Sequence, residues 1–210
     1  MLSSLLSYLE SPELLDDPFV RVDSVQFRGD DAEVFLRVMD YHGRETWTHW
    51  LVTARGLRDY DMRSPHGELS VLDEQHVLVR QHTDKHQDLS FRGTPSSAEA
   101  AIGGLLLAHR DVCGDWIPFD RYLNATCDFR KLIAGGYGKL ADGPSFLMQT
   151  YAGVLEAQGM KPSLLEPRPA KWWNGCQWIE MTSALTALVI GNTFFVAEGF
   201  EDCQVSPESG

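Results

Sequence analysis

Leu2, Leu5, Leu6 and Leu9 recur at the spacing of one helix face, which predicts a short amphipathic helix early in the chain. Ser11-Pro12-Glu13 then has the form of a cap, a first-turn proline and an acid at the positive helix end. The pattern changes to period two over residues 20–27 and 32–39, giving two strands joined by Gly29-Asp30-Asp31. In the second strand Val34, Leu36 and Val38 share one face, and Phe35, Arg37 and Met39 the other. Tyr41-His42-Gly43-Arg44 makes a turn, and residues 45–53, rich in tryptophan and threonine, complete a meander. Residues 55–69 are polar and interrupted by Pro65, so they read as a long surface loop. Residues 75–82 and 88–91 alternate as a second hairpin.

Helical spacing returns after Ser96-Ser97-Ala98-Glu99, which has the capping-box form. Ala98, Ile102, Leu105, Leu106 and His109 then mark one face of a helix to about residue 111. Gly103-Gly104 in its middle costs about 1 kcal/mol per glycine relative to alanine, a cost offset where the helix approaches a sheet closely. Residues 116–119 read as an extended connector, because the residue before Pro118 disfavours helix. Phe129, Leu132 and Ile133 suggest a short helix over 128–134, followed by a glycine-rich loop at 134–138. Asp142-Gly143-Pro144 starts another helix, with Leu147, Tyr151, Val154 and Leu155 as its buried stripe and Gly159 as its terminator. Pro162, Pro167 and Pro169 describe a linker or edge strand. Two hairpins close the chain, turning at Asn174-Gly175 and Gly191-Asn192, before a tail over 204–210.

Strands, then helices, then strands define an α+β protein: antiparallel sheet built from hairpins, with two or three helices packed on one face. The preferred layout is a single domain over 1–203 whose final hairpins join the first sheet. A subdivision near residue 159 is the second layout.

The chain has 210 residues, 18 lysines plus arginines and 30 aspartates plus glutamates, a formal charge of −12. That balance repels phosphate backbones and anionic lipid, so neither nucleic acid nor a membrane surface is an expected partner. No apolar run approaches the roughly 18 residues needed to cross a bilayer, and the first residues lack a basic region and a cleavage pattern. Cys113, Cys127, Cys176 and Cys203 are widely spaced with no CxxC pair, which fits reduced thiols and a cytoplasmic location.

Candidate chemistry is sparse. His82, Asp84 and His86 could converge across a tight turn on a divalent metal, although they supply three ligands at most and Lys85 opposes a cation. No other cofactor is implied. Gly135-Gly136-Tyr137-Gly138-Lys139 has a phosphate-loop flavour, but its glycine spacing is wrong and Leu140 follows the lysine, so it reads as a structural loop. Cys113 lies four residues after His109 on one helix face, a conceivable nucleophile and base. No serine elbow is present.

Tryptophan is the strongest functional signal. Trp172, Trp173 and Trp178 surround one predicted hairpin tip, and Trp47 and Trp50 fall on opposite faces of a strand. At least one of the five is expected to reach solvent, where indoles anchor interfaces. The favoured reading is a non-catalytic cytosolic binding protein with an acidic surface, holding a protein partner, a basic one in particular. Small acidic proteins that neutralise basic toxins, such as bacterial immunity proteins, have this general character, though no motif identifies a family. A metal-dependent or cysteine-dependent hydrolase is the alternative. A small-molecule-binding domain, with a pocket between the sheet and the helix over 98–111, is the second. Homodimerisation through a sheet edge or the tryptophan patch is a further option.

Overall fold

The computed structural model describes residues 2–11, 14, 18–39 and 47–206. The cap expected at Pro12 and Glu13, the turn at 41–44 and the end of the tail lie outside the described residues. In chain order the elements begin α1 (Ser3–Leu9), β1 (Phe19–Arg28), β2 (Asp31–Met39), β3 (Trp47–Met62), β4 (His66–Gly67) and β5 (Leu69–Leu72). There follow α2 (Val77–Thr83), β6 (His86–Arg92), α3 (Ala98–Cys113), α4 (Phe129–Gly135), β7 (Tyr137–Pro144) and α5 (Ser145–Ala157). The last are β8 (Lys161–Leu164), β9 (Lys171–Trp173), β10 (Trp178–Glu180), β11 (Thr186–Ile190) and β12 (Thr193–Val205).

The α+β class and the antiparallel sheets are as expected, and the chain forms two compact units. One comprises Met1–Val79 and Ser183–Gly210, the other Arg80–Thr182. Charge divides the same way. The first unit holds seven arginines, no lysine and nineteen acids, while the second balances eleven basic residues against eleven acidic ones. The whole −12 therefore belongs to the first unit, and every lysine to the second.

In the first unit seven strands form one sheet in the order β4-β1-β2-β3-β12-β11-β5. The final hairpin joins the opening meander through β12, which pairs with β3 from Thr193↔Met62 to Val205↔His49. The two outermost strands, β4 and β5, are separated in sequence by Glu68 alone, so the segment from His66 to Leu72 runs from one edge of the sheet to the other. Its first half pairs with β1 and its second with β11, and Gly191 N–H donates to the Glu68 carbonyl at 2.9 Å. The sheet thus curls into a nearly closed barrel, with the short segment 66–72 bridging β1 to β11. Nothing in the hydrophobic pattern announced this closure.

Alternation fills the interior. Ala32, Val34, Leu36 and Val38 of β2 are all buried, with Val52, Ala54, Phe195, Ala197 and Ile190 from other strands. Helix α1 joins this core through Leu2 and Leu5, and the Leu5 N–H donates to the Asp202 carboxylate of β12. The region 55–69, expected as a loop, is mostly strand. Its cross-strand partners, Glu201 for Arg55 at 2.9 Å and Glu198 for Arg58, lie far along the chain and are invisible to local pattern.

The second unit has a three-stranded sheet, β7-β6-β8, with α3 packed on α4 and α5. Leu89 and Phe91 of β6 face a core of Leu105, Leu140, Leu147, Met148, Tyr151 and Leu155, all buried. Residues 77–83 form a helix, not the strand expected at 75–82. Residues 137–144 form a strand where a loop and a helix start were expected, and the helix begins only at Ser145. Gly104 marks close approach of α3 to α5 rather than to a sheet, since a Cβ there would lie 3.1 Å from Val154 Cγ1. Helix α3 is capped by Ser97, which accepts from the Ala100 N–H at 3.1 Å, while Glu99 accepts from the Ser97 hydroxyl at 3.2 Å and pairs with Arg130.

Candidate functional site

Trp173 and Trp178 stand directly opposite each other on the ribbon β9–β10, with ring centroids 5.8 Å apart and planes inclined at 62°. They are 51 % and 64 % exposed, a large apolar area left in water. Lys171 and Glu180 flank them on the same exposed face, also cross-strand partners, and Trp172 and Ile179 form the half-buried reverse face. The edge-to-face indole pair fixes both rings for about 0.5–1.5 kcal/mol.

The tip of the ribbon is a four-residue loop, not the two-residue turn that Asn174-Gly175 suggested. Asn174 N–H donates to the Gln177 carbonyl at 3.1 Å, and Asn174 Oδ1 accepts from the Cys176 and Gln177 N–H groups at 3.0 and 2.8 Å. Gly175 supplies the left-handed residue, φ +94°. At its other end the ribbon is closed by Met181 N–H donating to the Ala170 carbonyl at 2.8 Å. Asn174 is thus the residue that positions both indoles.

The two remaining candidate tryptophans, Trp47 and Trp50, lie in the barrel unit and take different roles. Trp50 is 3 % exposed, packs on Tyr8 at 5.4 Å and donates to Thr48 Oγ1 at 3.3 Å, so it is a core residue and no surface anchor. Trp47, half-buried on the opposite strand face, lies under the Arg37 guanidinium, 4.9 Å from the ring centroid.

His82, Asp84 and His86 are not assembled as ligands. Asp84 is held by Arg80 one helical turn earlier, 2.8 Å away, and the His86 Nε2–H donates to the Gln81 carbonyl at 3.0 Å. Burial lowers the His86 pKa, against the opposing pull of that carbonyl and of Asp142. Among the described residues no group of three or more His, Cys, Asp or Glu side chains is placed to hold a metal ion. The expected metal site fails because residues 77–83 are helical, which sets Arg80 beside Asp84.

The cysteine route fares no better. Burial pushes the Cys113 thiol up to about 11, and the side chain is 1 % exposed. His109 turns to other partners: its Nε2–H donates to the Ile117 carbonyl at 2.7 Å, and Nδ1 meets the Tyr151 hydroxyl at 2.8 Å. The Tyr151 hydroxyl is itself driven well above the usual tyrosine range by burial. This is a core polar pair, satisfied at both ends. The pocket expected between a sheet and α3 is filled, since the inward residues Ala101, Leu105, His109 and Cys113 are all buried against other helices.

No protein-family model, curated protein or solved structure matches the chain. No helix among the described residues is long and apolar enough to cross a membrane.

Proposed function

We propose that the chain is a non-catalytic binding protein that docks a protein partner on the exposed face of the β9–β10 ribbon, with Trp173 and Trp178 as its anchors. The observation that carries this reading is the pair of half-exposed indoles held in register by their own strand pairing and by the Asn174 turn. Covering the exposed part of each ring contributes roughly 2–4 kcal/mol, enough for two such anchors to dominate an interface. Lys171 and Glu180 supply a polar rim on the same face. The unit that carries the ribbon is neutral and the −12 lies in the barrel unit, so the preference for a basic partner rests on the long-range field of the whole chain. Four free cysteines fit a reducing compartment, so the cytoplasm is the location we propose.

The test compares two baits, the wild-type chain and Trp173→Ala/Trp178→Ala, for the proteins each retains from the source cells at low and high salt. The expected result is a basic protein retained at least about tenfold less by the double variant, and less by both at high salt. Identical sets of retained proteins for the two baits would overturn the reading.

A further inference from the structure

Arg92 on β6 and Lys161 on β8 are cross-strand partners, two like charges directly opposite each other. Such a pair destabilises a sheet unless something neutralises it. Neither makes an ion pair among the described residues, in a chain with 30 acidic side chains to choose from.

The register builds an ordered platform around them. One row across the sheet reads Lys161, Arg92, Tyr137, and the next reads Ser163, Ser90, Lys139. All six line one open cleft of about 540 Å³, while Leu89 and Phe91 between them point into the core. Tyr137 is 74 % exposed and makes no ring contact among the described residues, and the Ser90 and Ser163 hydroxyls are likewise unpartnered there. The row beyond carries Asp88 and Asp142, but these are already matched: Asp88 by Lys139 at 3.0 Å and Arg168 at 2.8 Å, Asp142 by the same two cations. The acids therefore fix Lys139 at the cleft and leave Arg92 and Lys161 uncompensated. The glycine-bearing segment 135–139, set aside as a phosphate loop for its spacing, supplies Tyr137 and Lys139 here as strand residues.

We propose that this face binds a nucleoside monophosphate, with its phosphate on Arg92 and Lys161, its base on the Tyr137 ring and its sugar over Ser90 and Ser163. Guanidinium and ammonium groups are the natural partners of a phosphate dianion, and an exposed aromatic ring one strand away is a stacking surface for a planar base. Strands about 4.8 Å apart put those two functions within one nucleotide of each other. The cleft volume suits a small ligand. The platform offers two uncompensated cations on a unit whose own net charge is zero, which matches one phosphate dianion rather than a long phosphate backbone.

Calorimetric titration of the full chain with adenosine monophosphate, adenosine, inorganic phosphate and hexa-adenylate tests this. Adenosine monophosphate is expected to bind saturably at one site, with adenosine and phosphate each at least about tenfold weaker. Arg92→Gln/Lys161→Gln is expected to weaken the nucleotide by at least about tenfold and leave adenosine unchanged. Tyr137→Ala is expected to weaken nucleotide and adenosine together and leave phosphate unchanged. All three side chains are exposed, so matching circular dichroism and melting curves certify the variants. Absence of saturable binding by the wild-type chain, or full affinity in the double variant, overturns the proposal. Hexa-adenylate binding tighter than its count of units explains overturns it in favour of single-stranded nucleic acid.

Discussion

Gly67 and Gly191 pack backbone against backbone at the seam of the barrel. A Cβ on Gly67 would fall 2.7 Å from the Gly191 nitrogen, and one on Gly191 would fall 2.5 Å from the His66 carbonyl oxygen. The seam joins strand β4 to the β11–β12 turn, so any side chain there pushes the closing segment off the sheet. Gly67→Ala is expected to cost about 1–3 kcal/mol as overpacking. Gly191→Ala adds the strain of φ +58°, a further ~1–2 kcal/mol. Gly29→Ala, with φ +63° and open space around it, carries only the strain and serves as the control. Urea unfolding midpoints rank the three, and a Gly67→Ala midpoint equal to wild type would refute the seam.

Thiol accessibility follows from burial. Cys127, Cys176 and Cys203 are exposed and Cys113 is buried with its thiol pushed up to about 11. Titration with a chromogenic disulfide is expected to count three fast thiols in the native chain and four in denaturant. A fourth fast thiol without denaturant would place Cys113 at the surface.

Acid should loosen the chain in two steps. Burial depresses His86 and His76 below 6.5, so the unfolded chain takes up protons first as pH falls. Stability held above about pH 6.5 is therefore lost as pH drops through the lowered values of the folded state. For Asp88 burial alone would raise the pKa, but Arg168 and Lys139 outweigh it and hold the carboxyl below 3.8. Its contribution is present above that value and disappears only in stronger acid. Unfolding free energies across pH for His76→Gln/His86→Gln and for Asp88→Asn should lose the upper and the lower window respectively. A flat profile between pH 7 and 5 in the wild-type chain would contradict the first.

The barrel and the unit Arg80–Thr182 each have a core of their own, and the chain leaves and re-enters the barrel on paired strands, with Leu72 opposite Ala187. Replacing residues 80–182 by a short glycine-serine linker is expected to leave a β-rich chain that melts cooperatively. Loss of the cooperative transition would show that the barrel depends on the inserted unit.

Local pattern revealed whatever local contacts decide. The alternation of Val34, Leu36 and Val38 gave β2, the spacing of Phe129, Leu132 and Ile133 gave α4, and the Gly191-Asn192 pair gave the last hairpin. Where distant partners decide, it failed. Val77-Leu78-Val79 reads as strand by propensity, yet two consecutive residues, Leu78 and Val79, are both fully buried, which an alternating strand in a half-wet sheet does not allow. The second half of β3 is polar because its arginines are paired with acids on β12. The indole pair was visible as a tryptophan cluster, although which of the five reached solvent depended on register. Arg92 and Lys161 gave no signal at all, since only the pairing of β6 with β8 brings them together.

The central position of β12, between β3 and β11, has a consequence for the order in which the two units mature on the ribosome. Residues 80–182 are complete before the first residue of β11 is translated, so the unit that starts second can finish folding first. Strands β1, β2 and β3 must meanwhile wait as an open meander, with the β3 edge bare until the last long strand arrives to cover it. Nascent chains stalled between β10 and β11 are thus the most exposed to strand-pairing errors, and a ribosome that slows there prolongs that interval.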